Sequence, residues 1–294
     1  MEPLLDLYRL LAQVRRLEVR IKGLVDHLFG GEYRAAFKGR GLTFSEVRPY
    51  QPGDEVRTID WNTSARLGQP YVKVFEEERE QALLILLDIS ASQRFGSGSR
   101  LKAEVAAEIA ALLALSALRN RDRAGLVLFS DRIERVLPPR KGRGHVFQLL
   151  RELVAFRPQG RGTNLSEALE FARRLLKRRS IVAVISDGRA PDYTRPLRML
   201  RARHDVVFIR TFDPREAALV PVGWMAVEDL ETGQRRWLDT LRPEVRLRWQ
   251  QAYAQERARW QEACRSASVD GIEIDVSRSF VEPLRAFFQT RMQR

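Results

Sequence analysis

The stretch Ala82-Leu83-Leu84-Ile85-Leu86-Leu87 carries no polar side chain on either face of an extended chain. A strand that is apolar on both faces must be covered on both, and this is the pattern of a parallel sheet sandwiched between helices. Further strand-like runs follow at Gly125–Ser130, Ile181–Ile185 and Asp205–Thr211. Helical periodicity fills the intervals, over Arg100–Arg119, Val146–Phe156, Leu165–Arg178 and a short segment near Arg195–Arg203. Strands and helices in alternation predict an α/β fold with a doubly wound, mostly parallel sheet. Ile133–Leu137 alternates in polarity and follows its neighbour after a short turn, so it is expected as an antiparallel edge strand. Met225–Leu230 is expected as the last strand of the sheet.

Three regions are expected. Residues 1–80 comprise an amphipathic helix followed by an irregular segment rich in Arg, Asp and Trp. Residues 81–240 form the α/β domain, and residues 241–294 a helical extension packed on it. In the first helix Leu7, Leu10, Val14, Leu17, Ile21, Leu24 and Leu28 fall on one stripe until Gly30-Gly31 stops it, so it is expected to dock on the same chain. Leu42–Val47 and Tyr71–Phe75 suit short strands, and Pro52-Gly53-Asp54 a tight turn. The long helix Leu241–Ala267 places Val245, Trp249, Ala252, Tyr253, Trp260, Ala263 and Cys264 on one face, with the tryptophans as core contacts.

In open α/β sheets, ligands bind in the loops beyond the carboxyl ends of the strands. The oxygen-bearing residues gather there. Asp88-Ile89-Ser90-Ala91-Ser92 follows the first apolar strand, and Ser186-Asp187-Gly188 follows the strand at Ile181. Thr163 sits among glycines in Gly160-Arg161-Gly162-Thr163-Asn164, just before a helix. Each fragment alone has an ordinary structural use: Asp88 and Ser92 as helix caps, Asp187-Gly188 as a turn, Thr163 as the N-cap before Leu165. Together, two carboxylates and three hydroxyls suit a hard divalent cation, Mg2+ or else Mn2+ or Ca2+. With only two carboxylates such an ion stays electrophilic enough to attract a third from a partner.

Asp88, Ser90, Ser92, Thr163, and Asp187 within Ser186-Asp187-Gly188, resemble the metal-ion-dependent adhesion site of von Willebrand factor A domains. In that family the two serines and the threonine coordinate the ion, and the carboxylates act directly or through water. Upstream, Arg48-Pro49-Tyr50-Gln51-Pro52-Gly53-Asp54 and Arg57 to Arg66 are similar to the signature of domain-of-unknown-function family 58. Val72 to Arg79, Asp213-Pro214 and Asp229-Leu230-Glu231-Thr232-Gly233 are similar to it as well. This resemblance implies a von Willebrand factor A-like fold and a chaperone-like partner of a MoxR-type AAA+ ATPase. Such a protein would act on a client that offers an acidic residue to the metal. Within the signature, Arg48, Asp54, Arg57, Asp60, Trp61 and Arg66 are expected to form a structural network or a partner-recognition surface.

Other functions leave weaker marks. His27, His145 and His204 fit no HExxH, zinc or Ser–His–acid pattern, and no nucleotide-binding Gly-x-x-x-x-Gly-Lys loop occurs. The chain is therefore expected not to be an enzyme. The main enzymatic alternative is metal-assisted phosphoester hydrolysis, although no extra carboxylate or His is placed by sequence beside the motif to activate water. The net charge of +13 raises nucleic-acid binding as another alternative. Acidic residues are interspersed throughout and no basic run carries aromatics, which argues against it. One cysteine, Cys264, excludes an internal disulfide. The longest apolar stretch, Ala103–Leu118, is broken by Glu104 and Glu108, and the N-terminus has no signal-peptide pattern. These features predict a cytoplasmic protein without an integral membrane span, reaching a membrane only through a partner.

Overall fold

The structure is a computed structural model, and it describes residues 2–25, 42–77 and 81–292. The chain divides into two compact units: residues 38–81, and the remainder.

In the larger unit the elements run α1 (Glu2–Leu24), β3 (Ala82–Asp88), α3 (Lys102–Arg119), β4 (Arg123–Phe129), β5 (Ile133–Arg140), α4 (Arg143–Ala155) and α5 (Leu165–Leu175). They continue with β6 (Ile181–Ser186), α6 (Thr194–Arg201), β7 (Asp205–Phe212), the single turn α7 (Pro214–Ala217), β8 (Trp224–Glu228) and β9 (Arg235–Asp239). The chain then runs through α8 (Pro243–Ser266), β10 (Asp270–Asp275) and α9 (Val281–Met292). One six-stranded sheet has the order β10-β7-β6-β3-β4-β5, parallel throughout except for β5.

The unbroken apolar run of β3 feeds two cores at once. Leu83, Ile85 and Leu87 enter the layer built by α1, α3, α4 and α9, through residues such as Ile21, Ile109, Leu149 and Phe288. Leu84 and Leu86 enter the opposite layer, built by α5, α6 and α8 through Leu169, Leu197 and Trp260. The sheet is therefore doubly wound, as its sequence pattern requires. β5 closes one edge, and its Pro138-Pro139 removes backbone donors there, which discourages further strand pairing.

The first helix docks on this core. Val14, Ile21 and Val25 are buried, with Leu17 and Leu24 packed beside them. The expected Leu28 and the Gly30-Gly31 stop lie outside the described residues, as do the side chains of Leu7 and Leu10.

Two expectations about the C-terminal part need correction. The run Met225–Leu230 does not complete the main sheet. Its strand, β8, pairs with β9 in a separate two-stranded ribbon. Alternate residues of β8 are exposed, which is incompatible with a strand covered on both faces. The sheet is completed instead by β10, inside the part expected to be helical. There the sequence Asp-Gly-Ile-Glu-Ile-Asp alternates in polarity, as a half-covered edge strand should. Along α8, Trp260, Ala263 and Cys264 are buried, whereas Ala252, expected on the same face, is exposed.

In the smaller unit β1 (Leu42–Pro49) pairs antiparallel with β2 (Tyr71–Glu77), with a bulge between Phe44 and Glu46. The connection holds a tight turn at Gly53, whose φ of 110° favours glycine, and the two-turn helix α2 (Trp61–Leu67).

Candidate metal centre

Asp88 ends β3 and Ser186 ends the neighbouring parallel strand β6, so the sheet itself sets them side by side. Ser186 Oγ donates to Asp88 Oδ2 at 2.6 Å, and the Ser90 backbone N–H donates to Asp88 Oδ1 at 2.9 Å. Ser90 opens a 3-10 turn over Ala91–Arg94 without capping it through its side chain. Its hydroxyl faces that of Ser92 instead, oxygen to oxygen at 3.0 Å, and both residues are buried. The Ala91 N–H donates to Arg161 O at 2.9 Å, which pins the Gly160–Thr163 loop against this turn.

The N-cap of α5 is Asn164, whose side chain accepts from Glu167 N at 3.1 Å. Thr163 is thus not used as the cap, and its Oγ1 donates to Glu231 Oε1 at 2.7 Å. Asp187 does make the turn expected of Asp-Gly: Oδ1 accepts from Arg189 N at 3.1 Å, and Gly188 has φ 74°. Its Oδ2 takes the Lys102 ammonium at 2.8 Å. The structure brings Asp88, Ser90, Ser92, Thr163 and Asp187 to one end of the sheet. Glu231, which was not expected there, reaches Thr163 among them. It also feels the charge of Asp187.

The electrostatics separate the two aspartates. Burial first, and then the charge of Asp187, push the Asp88 carboxyl up to about 7, against the hydrogen bonds from Ser186 and Ser90. Asp187 is buried too, but Lys102 and Arg189 outweigh that burial and hold it below the usual carboxylate range. Among the described residues no Lys or Arg pairs with Asp88. Burial, reinforced by Asp187, raises Glu231 despite the hydroxyls bound to it.

This donor set suits a hard cation. Oxygens at about 2.0–2.1 Å around octahedral Mg2+ lie about 3 Å from one another, the spacing found between the Ser90 and Ser92 hydroxyls. A buried carboxylate without an ion-pair partner among the described residues, Asp88, is also what a cation would stabilise. Among the described residues, no three His, Cys, Asp or Glu side chains gather as a metal cluster. A cation here would therefore rely on the hydroxyls of Ser90, Ser92 and Thr163, with Asp88 and Asp187 acting directly or through water.

The family model described as "Protein of unknown function DUF58" matches residues 46–259. The chain belongs to the DUF58 family. This DUF58 protein is 30% identical to Uncharacterized protein Rv1480 of Mycobacterium tuberculosis over 286 residues, 96% of this chain and 90% of that one. Among solved structures, BatB from Bacteroides thetaiotaomicron aligns with a TM-score of 0.51 at 16% identity, over 73% of this chain and 99% of that one. A von Willebrand factor type A structure from Catenulispora acidiphila aligns with a TM-score of 0.44 at 14% identity, over 76% of this chain and 43% of that one. The six-stranded, mostly parallel sheet with helices on both faces makes the fold of the DUF58 chain von Willebrand factor A-like.

Several residues that shape the site in this DUF58 protein carry no motif in the sequence. Lys102, fully buried in the first turn of α3, bridges Asp187 and Glu216 Oε1, each at 2.8 Å. Burial would lower its pKa, but the two carboxylates outweigh burial and raise it. Arg210, buried on β7, donates to Asp187 O at 3.0 Å and holds that loop from behind. Asp213 accepts from Ser97 N and Ser97 Oγ, both at 2.7 Å, anchoring the segment after the 3-10 turn. Asp213-Pro214 and Asp229–Gly233 stood out by resemblance, but with no role attached. Glu231 brings a carboxylate to Thr163 from a position that is remote in the sequence.

The signature of the smaller unit splits in two. Arg48 pairs with Asp54 through two bonds of 2.8 and 2.7 Å, and Asp60 caps α2 by accepting from Asn62 N and Thr63 N while facing Lys73 at 3.7 Å. Arg57 and Arg66 are exposed, and Trp61 is 67% exposed.

Proposed function

We propose that this DUF58 protein is a metal-ion-dependent protein-binding module rather than an enzyme. Its role would be that of an adaptor or chaperone-like partner of a MoxR-type AAA+ ATPase, in the cytoplasm or at a membrane through that partner. One observation carries this reading: the hydroxyls of Ser90, Ser92 and Thr163 and the carboxylates of Asp88 and Asp187 meet at the carboxyl end of the sheet, and a glutamate already sits among them. Such a site recognises an acidic side chain. A bound divalent cation would supply electrophilic charge. Ser90, Ser92 and Thr163 would hold it, Lys102 would keep Asp187 ionised, and the sheet would hold Asp88 in place.

Affinity capture from cell lysate in Mg2+ or in EDTA tests the reading. An AAA+ ATPase recovered only with metal, and lost in Asp88→Ala and Thr163→Ala, is the expected result. Equal recovery under all these conditions would overturn it.

Metal-assisted phosphoester hydrolysis is the second reading, favoured by Glu231 as a carboxylate of raised pKa beside the hydroxyls. A phosphatase activity that requires Mg2+ and is abolished by Glu231→Gln would replace the binding reading with this one.

A further inference from the structure

Glu231 stands at the tip of the ribbon formed by β8 and β9. The tip is built to aim it. Asp229 Oδ1 accepts from Glu231 N at 2.9 Å and Thr232 N at 3.1 Å, Gly233 N donates to Asp229 O at 2.7 Å, and Gly233 takes φ 72°. None of these bonds uses the Glu231 side chain, which is left to accept from Thr163 Oγ1 at 2.7 Å. The base of the ribbon is closed separately, by Thr240 Oγ1 donating to Gly223 O at 2.7 Å and accepting from Val222 N at 3.0 Å.

A carboxylate that binds the Thr163 hydroxyl of a cation site, and is half-buried, occupies the place where an acidic ligand would enter. We propose that Glu231 is an internal ligand of the cation: the chain closes its own coordination sphere, and an outside carboxylate binds only by displacing Glu231. This deepens the cation-site reading and rests on it. Exchange of one carboxylate for another leaves the charge around the ion unchanged. The competition is then decided by how firmly the ribbon tip holds Glu231, since a tethered group competes at a high effective concentration. Among the described residues the ribbon pairs with no strand of the main sheet, so the tip can withdraw without breaking that sheet.

The test uses the full chain with Mn2+ as the probe, free Mn2+ being read by electron paramagnetic resonance and inner-sphere water by water-proton relaxation. Glu231→Ala is expected to weaken Mn2+ binding by at least about tenfold, since even outer-shell partners contribute on that scale. It should also add one exchangeable water to the bound ion. Millimolar acetate should then restore affinity and remove that water in Glu231→Ala, while leaving the wild type unchanged. A circular-dichroism melt checks the fold, and acetate rescue reports the coordination position itself. Should the wild type bind Mn2+ in an Asp88-dependent way while Glu231→Ala matches it in water number and acetate response, the internal ligand is overturned and the cation site stands. Should neither the wild type nor Glu231→Ala bind Mn2+, the cation site falls, and the internal ligand with it.

Discussion

Lys102 Nζ lies 2.8 Å from Asp187 Oδ2, with the lysine side chain fully buried and the aspartate nearly so. The ammonium is shared with Glu216, and the two carboxylates offset the cost of burying it. Removing the ammonium takes the ion-pair partner from buried Asp187, while Glu216 keeps Arg189 at 3.2 Å. Lys102→Met should cost about 3–5 kcal/mol in urea denaturation, the scale for breaking a buried ion pair. A loss under 1 kcal/mol would mean that the pair is not dry.

Asp88 makes a pH prediction of a definite sign. Its folded pKa, about 7, lies above the ordinary aspartate value of 3.8, so between those values the folded chain holds a proton that the unfolded chain has released. Metal-free stability should therefore fall as pH rises from about 4 through about 7, and change little from this source outside that window. Asp88→Asn should flatten this part of the profile. Magnesium binding below pH 7 should release a proton from Asp88, and above it should not. Titration calorimetry at pH 6 and pH 8, in buffers of different ionisation heat, measures that release. Equal proton release at the two pH values would contradict the assignment.

What could be read from the sequence follows the range of the interactions. β3 was legible because six consecutive apolar residues have one meaning in a strand, and Asp88 at its end followed from the sheet rule. β10 was hidden by being short, half-covered and adjacent to a long helix. Glu231 and Lys102 were illegible for a different reason. Glu231 is 68 residues from Thr163, and Lys102 is 85 and 114 residues from its two carboxylates. No local period marks such a pairing. Lys102 also starts a helix whose pattern is otherwise that of a buried apolar stretch.

In the smaller unit, Asp60 and Trp61 are neighbours with opposite expected behaviour. Asp60 closes the first turn of α2 through two backbone donors, whereas Trp61 is 67% exposed. Asp60→Ala should cost about 1 kcal/mol. It should also speed hydrogen exchange at the Asn62 and Thr63 amides. Trp61→Ala should change stability by no more than about 0.5 kcal/mol. Were Trp61→Ala the more damaging of the two, the indole would have a packing role that its exposure does not suggest.

The docking of α1 sets a last contrast, between apolar burial and surface charge. Ile21 is completely buried in the layer shared with α3 and α4. Truncation to alanine leaves a cavity that the surrounding helices fill only in part, and Ile21→Ala should cost about 2–5 kcal/mol. One residue earlier, Arg20 reaches Glu108 on α3 at 2.7 Å, but its side chain is 59% exposed and Glu108 is also paired with Arg100. Deleting it leaves no orphaned charge, so Arg20→Ala should cost at most about 1 kcal/mol. Guanidinium denaturation of the two variants measures both values, and its high ionic strength screens the Arg20 pair further, widening the gap. If Arg20→Ala were the costlier, the helix would be held by its ion pair rather than by its apolar stripe.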